Sequence, residues 1–151
     1  MKVLIVFACL LVATSAHLCL LSPRQRGSMM GINKPGATDC ILLKGPCGER
    51  TGMPTTGVKA GTNFTVLIQK NLDHWDKATP GYFTVSWGLS ETSMTMIAKV
   101  QDNGEPSLYI YEVEVTAPKS LNDHYIMQVT YVTMNKQAPP VFYQCADFGV
   151  Y

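Results

Sequence analysis

Six short segments between residues 65 and 145 have β-strand composition, and they restrict this chain to an all-β fold. Each is rich in Val, Ile, Tyr and Thr, and each is separated from the next by Gly, Pro, Asn or Asp. In the fourth segment, Tyr and Val residues alternate with Ile110, Glu112 and Glu114, as in a strand with one buried and one solvated face. No stretch shows a helical period over ten or more residues. The segments are residues 65–69, 82–87, 94–100, 108–116, 125–133 and 141–145.

The segments upstream add a first strand and a long irregular region. The apolar run 17–21 ends at Ser22-Pro23, which predicts a short buried strand. Residues 22–62 are rich in Gly, Pro and Thr and predict a long loop interrupted by one strand at 40–43. Six to eight strands in one chain of this length predict an antiparallel immunoglobulin- or fibronectin-like β-sandwich.

Residues 1–16 have the composition of a secretory signal peptide. Lys2 precedes an apolar run, and the small residues Thr14 and Ala16 occupy the −3 and −1 positions of a cleavage site. Removing these 16 of the 151 residues leaves 135, the size of a single domain, 17–151. No later apolar run approaches 18 residues, so we expect a secreted, extracellular monomer with no membrane span.

Charge and cysteine content further restrict the class of protein to which this chain can belong. The chain has 12 Lys and Arg against 11 Asp and Glu, and the signal contains only Lys2, which leaves 11 against 11. A net charge of zero offers no general attraction to nucleic acid or anionic membranes. Four cysteines remain after signal removal, and an even number in an oxidising compartment predicts two disulfides. Their spacing does not select among the three possible pairings; they are Cys19, Cys40, Cys47 and Cys145.

Two further sequence features predict modification and metal binding. Asn63-Phe64-Thr65 is a sequon for N-glycosylation. Cleavage after Ala16 would make His17 the first residue, so that its α-amine and Nδ1 could chelate one metal ion. A second imidazole would complete a T-shaped set of three nitrogen ligands, an arrangement that suits copper(II). The simpler interpretation is that His17 is an accident of cleavage.

Only two other histidines can supply that imidazole. His74 lies on the connection between two predicted strands, where a side chain can be aimed at a neighbouring terminus. His124 begins a predicted strand and is favoured less, because histidines at strand ends are commonly half-buried without a further role.

These residues together resemble the lytic polysaccharide monooxygenases (LPMOs), and more closely the LPMO-like copper proteins that include the fungal copper-acquisition factors. The similarity rests on His17 after the signal, on His74 with Pro-Gly-Tyr-Phe at 80–83, and on the ending Phe-Tyr-Gln-Cys-Ala-Asp at 142–147. The Gly-Pro-Cys-Gly segment at 45–48 is similar to a Cys-Gly-Gly segment of the copper-acquisition group.

The resemblance implies an immunoglobulin-like β-sandwich that holds copper in a histidine brace. His17 would give its amine and Nδ1, and His74 one imidazole nitrogen. Phe142 falls where bacterial polysaccharide-cleaving members place an aromatic beside the axial copper position. Asp147 corresponds to the carboxylate ligand of the copper-acquisition group, although Asp73 and Asp76 flank His74 and a structural role for Asp147 is an equal alternative. The resemblance also implies the disulfides Cys47–Cys145 and Cys19–Cys40.

Three functions remain open at this point. The favoured one is a secreted copper(II)-binding protein for copper capture, delivery or homeostasis, with a copper-transport partner at the cell surface. The second is a copper-dependent polysaccharide monooxygenase acting on a glycan, for which Trp75, Tyr82 and Tyr151 are candidate surface aromatics. The third is a metal-free secreted recognition module. A short chain has little flat surface for a polymer, which favours the non-enzymatic function over the enzyme.

Overall fold

The computed structural model describes residues 17–151, and in that range eight β-strands form two sheets. The predicted signal peptide, 1–16, lies outside the described residues. One short 3-10 helix, Thr38–Cys40, follows the first strand. The strands are β1 (His17–Ser22), β2 (Thr56–Val58), β3 (Asn63–Leu72), β4 (Tyr82–Ser90), β5 (Ser93–Gln101), β6 (Tyr109–Thr116), β7 (Asn122–Val132) and β8 (Val141–Val150).

The two sheets confirm the predicted β-sandwich. The smaller has the order β1-β3-β6 and is antiparallel throughout. The larger has the order β2-β8-β7-β4-β5 and is antiparallel except where the short β2 runs parallel to β8. In residues 17–151, no helix is long and apolar enough to cross a membrane.

The main core lies between the sheets and is built from alternate residues of each strand. In β6, Tyr111, Val113 and Val115 are buried, whereas Glu112 and Glu114 point to solvent, as the sequence alternation predicts. Aromatic rings fill the end of the core where β4 begins and β7 ends: Phe83 stacks on Tyr131 with ring centroids 4.4 Å apart. These bulky rings fix the spacing of the two sheets at that end.

The irregular region between β1 and β3 is tied to both sheets. Its two disulfides are Cys19–Cys40, to β1, and Cys47–Cys145, to β8, the pairs that the resemblance implies. The predicted strand at 40–43 is wrong. The Cys40 amide closes a helical turn on the Ala37 carbonyl, and the Leu42 carbonyl accepts from the Tyr143 amide without a ladder forming. The strand in this region is β2 instead, which the sequence did not indicate.

Candidate metal-binding site

Strand pairing brings His17 and His74 to the same end of the small sheet. His17 at the start of β1 lies opposite Leu72, the last residue of β3. His74 follows two residues after Leu72, on the connection that leaves β3 at this end of the sheet. Both side chains are largely buried, with exposed fractions of 5% and 7% for the two residues. One antiparallel register thus brings the two sequence-predicted residues to the same end of the sheet.

Side chains from other elements hold the backbone on either side of His74. The Asp73 amide donates to Ser107 Oγ at 3.0 Å, and the Trp75 amide donates to Asp73 Oδ1 at 2.9 Å. The His74 carbonyl accepts from Asn135 Nδ2 at 3.1 Å. Asn135 follows β7, so this connection is attached to the opposite sheet as well as to its own. A connection with this many bonds has few alternative conformations, which favours a preorganised histidine.

The Pro-Gly-Tyr-Phe motif at 80–83 starts β4 against the end of β7. A Cβ at Gly81 would lie 2.3 Å from the Val132 carbonyl oxygen, so the close approach of the two chains requires glycine there. The Gly81 carbonyl also accepts a hydrogen bond from the Asp102 amide at 3.0 Å. The motif therefore positions the elements next to His74 and contributes no ligand itself.

Asp147 lies in a different cluster. Arg26 binds it with two parallel hydrogen bonds, Nε to Oδ2 and Nη2 to Oδ1, both at 2.8 Å. His124 Nε2 is also 2.8 Å from Oδ1. Asp147 lies five residues along β8 from Phe142, about 17 Å, toward the end of the sandwich away from His74. The structure therefore does not bring Asp147 to the histidine pair.

The electrostatics of this cluster match its contacts. Burial alone would raise the pKa of Asp147, but hydrogen bonds from Arg26 and His124 lower it below the ordinary value. The Asp147 carboxylate in turn raises the pKa of Arg26 against the opposing effect of burial. Glu91 completes the cluster with an ion pair to Arg26 at 2.5 Å. Arg26 lies in the irregular region, and the cluster therefore attaches that region to β8.

The remaining candidates lie near the histidines but have other contacts. Phe142 is fully buried in the core, with its ring centroid 6.4 Å from that of Tyr131. Asp73 contacts Lys70 Nζ at 2.9 Å, and Asp76 Oδ1 accepts the Ala78 amide at 2.9 Å. Within residues 17–151, no group of three or more His, Cys, Asp or Glu side chains could hold a metal ion. The candidate is therefore a two-imidazole site.

Three buried residues beside this site were missed by the sequence reasoning. Lys70 Nζ lies 2.7 Å from Asp102 Oδ1, and both side chains are fully buried. The Tyr131 hydroxyl donates to Asp102 Oδ2 at 2.5 Å. Burial and the bond to Asp102 raise the pKa of Tyr131, so its hydroxyl keeps its proton. The available signal was Lys70 itself, the one charged residue in the β-rich segment 63–72, whose partner is distant in sequence.

A groove of about 540 Å³ opens on the chain segments adjoining His74. It is lined by Trp75, Asp76, Lys77, Thr79 and residues 135–137. Of the other two aromatics considered as surface residues, Tyr82 lies under Lys99, whose Nζ is 3.7 Å from the ring centroid. Tyr151 follows β8 at the opposite end of the sandwich. Trp75 is thus the one of these three aromatics that lines the groove.

Comparison with known proteins gives a fold and no sequence family. No protein-family model matches the chain, and no curated protein matches it either. Among solved structures, the polysaccharide monooxygenase CBM33 superposes with a TM-score of 0.62 at 12% identity, over 89% of this chain and 100% of that one. The chain has the LPMO fold.

A second solved structure has the same fold. The catalytic domain of an LPMO from Listeria monocytogenes matches with a TM-score of 0.55 at 14% identity, over 89% of this chain and 99% of that domain. Both neighbours are covered almost completely, so the LPMO-like fold here is whole and not a shared fragment. At these identities, the likeness concerns backbone architecture; the side chains of the site have to be argued from their own contacts.

Proposed function

We propose that this protein is a secreted copper(II)-binding protein whose site is formed by His17 and His74. The observation that supports the proposal is the antiparallel register of β1 and β3, which brings His17 and the connection carrying His74 to one end of an LPMO-like fold. Removal of residues 1–16 would add the α-amine of His17 to the donor set. Because both histidines lie at this end of the small sheet, the amine and the two rings are proposed to share one ion.

The donor set fits copper better than other common metals. Two imidazoles and an amine are nitrogen donors, which copper(II) favours in tetragonal geometry, and copper lies at the top of the divalent affinity order. Calcium and magnesium prefer oxygen ligands, and structural zinc prefers four protein ligands including thiolates. All four cysteines outside the signal are in disulfides. When bound, copper would supply a one-electron redox centre and a Lewis acid.

We assign the metal to the two histidines without Asp147. Both oxygens of Asp147 already accept charge-assisted hydrogen bonds, and the carboxylate lies well along β8 from the histidine end. Moving it would leave Arg26 as a buried cation without its main partner, which costs several kcal/mol, about 3–5. Phe142 contributes to the core beneath this end and is proposed to shape the site by packing alone.

The role that we favour is copper capture, delivery or homeostasis outside the cell. Its support is the burial of both histidines, together with the positions of two of the three candidate surface aromatics: Tyr82 lies under Lys99, and Tyr151 follows β8 at the opposite end. The Asn63 side chain is exposed at the start of β3, where a glycan would fit the proposed secretion. A copper-transport partner at the cell surface would follow from this role.

A second candidate is copper-dependent oxidation of a glycan. It is favoured by the groove beside His74, lined by an indole, amides, a hydroxyl and charged groups, which suits sugar hydroxyls. The two structural neighbours are polysaccharide monooxygenases by their own descriptions. In this role the chain's residues would bind and orient the sugar in the groove while His17 and His74 hold the metal.

The decisive experiment is copper titration of correctly processed protein. Chain beginning at His17 should bind one copper(II) with nitrogen-dominated coordination, as read by electron paramagnetic resonance. One additional N-terminal residue, or His74→Ala, should weaken binding by about 100-fold or more, because each removes one of three donors. His124→Ala is the matched control and should bind as the unaltered protein does.

Two results would sink the proposal: no binding by the processed chain, or unchanged binding by His74→Ala. The first would favour the metal-free recognition module. If copper binds, incubation with a reductant, peroxide and a panel of chitin, cellulose and hemicellulose separates the two roles. Oxidised oligosaccharides would establish the enzyme, and their absence with copper retained would favour capture or delivery.

A further inference from the structure

Beneath His74 lies a buried set of polar groups that copper binding does not itself require. It joins both sheets: Lys70 comes from β3, Tyr111 from β6, Tyr131 from β7, and Asp102 directly follows β5. Asp102 Oδ1 contacts Lys70 Nζ at 2.7 Å and the Tyr111 hydroxyl at 3.3 Å, while Oδ2 accepts the Tyr131 hydroxyl. Buried ion pairs are weak sources of stability, so a contribution to folding alone does not account for this arrangement.

The set reaches the histidine through Tyr131. The Tyr131 hydroxyl accepts the main-chain N–H of His74 while it donates to Asp102. A hydroxyl whose proton is committed to a carboxylate presents its lone pairs in a defined direction. Its ring is itself held in place by the stack on Phe83, with an angle of 10° between the ring planes.

Lys70 extends the same network to the residue before His74. Its Nζ bridges Asp102 and Asp73 Oδ1, the latter at 2.9 Å, and the same Asp73 oxygen accepts the Trp75 amide. The backbone is therefore linked to the Asp102 carboxylate at two points, at His74 through Tyr131 and at Trp75 through Asp73 and Lys70. A change at Asp102 or Tyr131 is transmitted to the φ and ψ angles on which the direction of the His74 ring depends.

We propose that Tyr131, held by Asp102 and Lys70, is a positioning residue for His74. The expected effect of Tyr131 on copper affinity rests on the proposed function. Its effect on the order of the His74 backbone does not. Metal centres tolerate only small errors in ligand direction, and partners that orient a ligand commonly affect metal affinity by about 10–100-fold. Tyr131 acts on the backbone of the ligand and does not touch the metal.

The chain offers a closely matched pair of variants for the test. Tyr131→Phe and Tyr111→Phe each remove a buried hydroxyl bonded to Asp102 and keep a ring packed on Phe83, at 4.4 and 4.7 Å. Of these two hydroxyls, that of Tyr131 reaches the His74 amide, whereas that of Tyr111 bonds Glu105 Oε2 at 2.6 Å. Both variants should lose a similar free energy of unfolding. A difference between them at His74 therefore reports positioning and not folding.

The first readout needs no metal. Amide hydrogen exchange of His74, measured by NMR on the metal-free protein, should be about 10-fold faster in Tyr131→Phe than in the unaltered chain, as expected for one lost hydrogen bond. In Tyr111→Phe the same amide should keep its rate. The amide of Val85 in β4 serves as the reference for global opening. Equal exchange at residue 74 in both variants would overturn the proposal.

The second readout is copper(II) affinity by competition with a chelator. We expect Tyr131→Phe to bind about 10-fold more weakly and Tyr111→Phe to stay within about 2-fold of the unaltered protein. Unchanged copper(II) affinity in Tyr131→Phe would overturn the proposal that Tyr131 positions a metal ligand. If the unaltered chain binds no copper, the proposed function fails, and the exchange measurement alone decides whether Tyr131 orders His74.

A further variant covers the case in which Tyr131→Phe does not fold. Asp102→Asn keeps the size of the side chain and weakens the acceptor that orients the Tyr131 hydroxyl. Exchange at the His74 amide should again be faster than in the unaltered protein, with the Val85 amide as reference. Slow exchange at residue 74 in a folded Asp102→Asn variant would contradict the proposed role.

Discussion

A buried carboxylate that already has two cationic or hydrogen-bonding partners has little capacity for a metal, and Asp147 is such a group. Its side chain is 1% exposed and accepts two bonds from Arg26 and one from His124. Sequence position alone made Asp147 a ligand candidate because it ends the motif that resembles the copper proteins. Its contacts indicate a structural function, the attachment of the irregular region to β8.

The first prediction at the residue scale is that Asp147→Asn destabilises the fold and spares the histidine site. Loss of one member of a buried ion pair should lower the free energy of unfolding by about 3–5 kcal/mol, because Arg26 remains buried and charged. Urea unfolding measures this, and copper titration of the folded variant should give the unaltered affinity. Glu91→Gln is the control: the Glu91 side chain is itself one-third exposed, so we expect a loss below about 1 kcal/mol. A loss of copper binding in folded Asp147→Asn would make Asp147 a ligand.

A second prediction concerns acid. The pKa of Asp147 in the folded protein is lower than its ordinary value of 3.8, because Arg26 and His124 bond the ionised form. Its stabilising contribution is therefore complete above the unfolded pKa and is lost as pH falls through the folded one. The difference in unfolding free energy between the unaltered protein and Asp147→Asn should be constant near neutral pH and shrink below about pH 4. A difference that grew on acidification would contradict the assigned ion pair.

At the element scale, the part of the irregular region that precedes β2 is held by covalent and ionic attachments in place of a ladder. Cys19–Cys40 closes a loop with a sequence separation of 21, and Cys47–Cys145 one of 98. Arg50 adds an ion pair to Asp39 at 2.5 Å. These attachments hold the region against β1 and β8, the strands that begin and end the domain.

The loop lengths predict unequal contributions from the two disulfides. On the chain-entropy account, closing the loops contributes about 3 kcal/mol for Cys19–Cys40 and about 5 kcal/mol for Cys47–Cys145. Paired Cys→Ser replacement of Cys47 and Cys145 should therefore lower the free energy of unfolding more than the same replacement of Cys19 and Cys40. Denaturant unfolding of the two double variants is the measurement. A larger loss from Cys19 and Cys40 would indicate that native contacts, and not loop closure, dominate.

For the whole molecule, the two ends of the sandwich have separate functions. The end with His17, His74 and the Lys70–Asp102–Tyr131 network is the proposed metal end. The Arg26–Asp147–His124 cluster lies further along the sandwich and anchors the irregular region. Because free-energy changes from substitutions at distant sites are usually additive, the effect of a substitution in one cluster can be measured without a contribution from the other.

A metal that binds only the folded protein should stabilise the molecule as a whole. Free copper at about 100 times its dissociation constant adds about 2.7 kcal/mol, which corresponds to an increase in Tm of about 10 °C for a domain of this size. Differential scanning calorimetry of the chain beginning at His17 should show this increase. His74→Ala should show little, and an equal increase in His74→Ala would place copper elsewhere on the protein.

Much of the architecture was readable from local sequence. Alternation in residues 108–116 and β-rich segments separated by turn residues predicted the strands and the sandwich, because a strand with one buried face repeats every two residues. The same local pattern wrongly predicted a strand at 40–43. The apolar run there permits a strand, but the turn at Cys40 and the disulfide to Cys19 prevent a ladder.

The sequence by itself determined which residues had the chemistry: three histidines outside the irregular region, and four cysteines for two disulfides. Only the tertiary structure decided which of them meet. Lys70 and Asp102 are 32 residues apart, and Arg26 and Asp147 are 121 apart, yet both pairs are bonded and buried. Register across β1 and β3 brings His17 and His74 to one end of the small sheet, whereas the course of β8 carries Asp147 away from that end, because position along a strand is set by pairing and not by motif order.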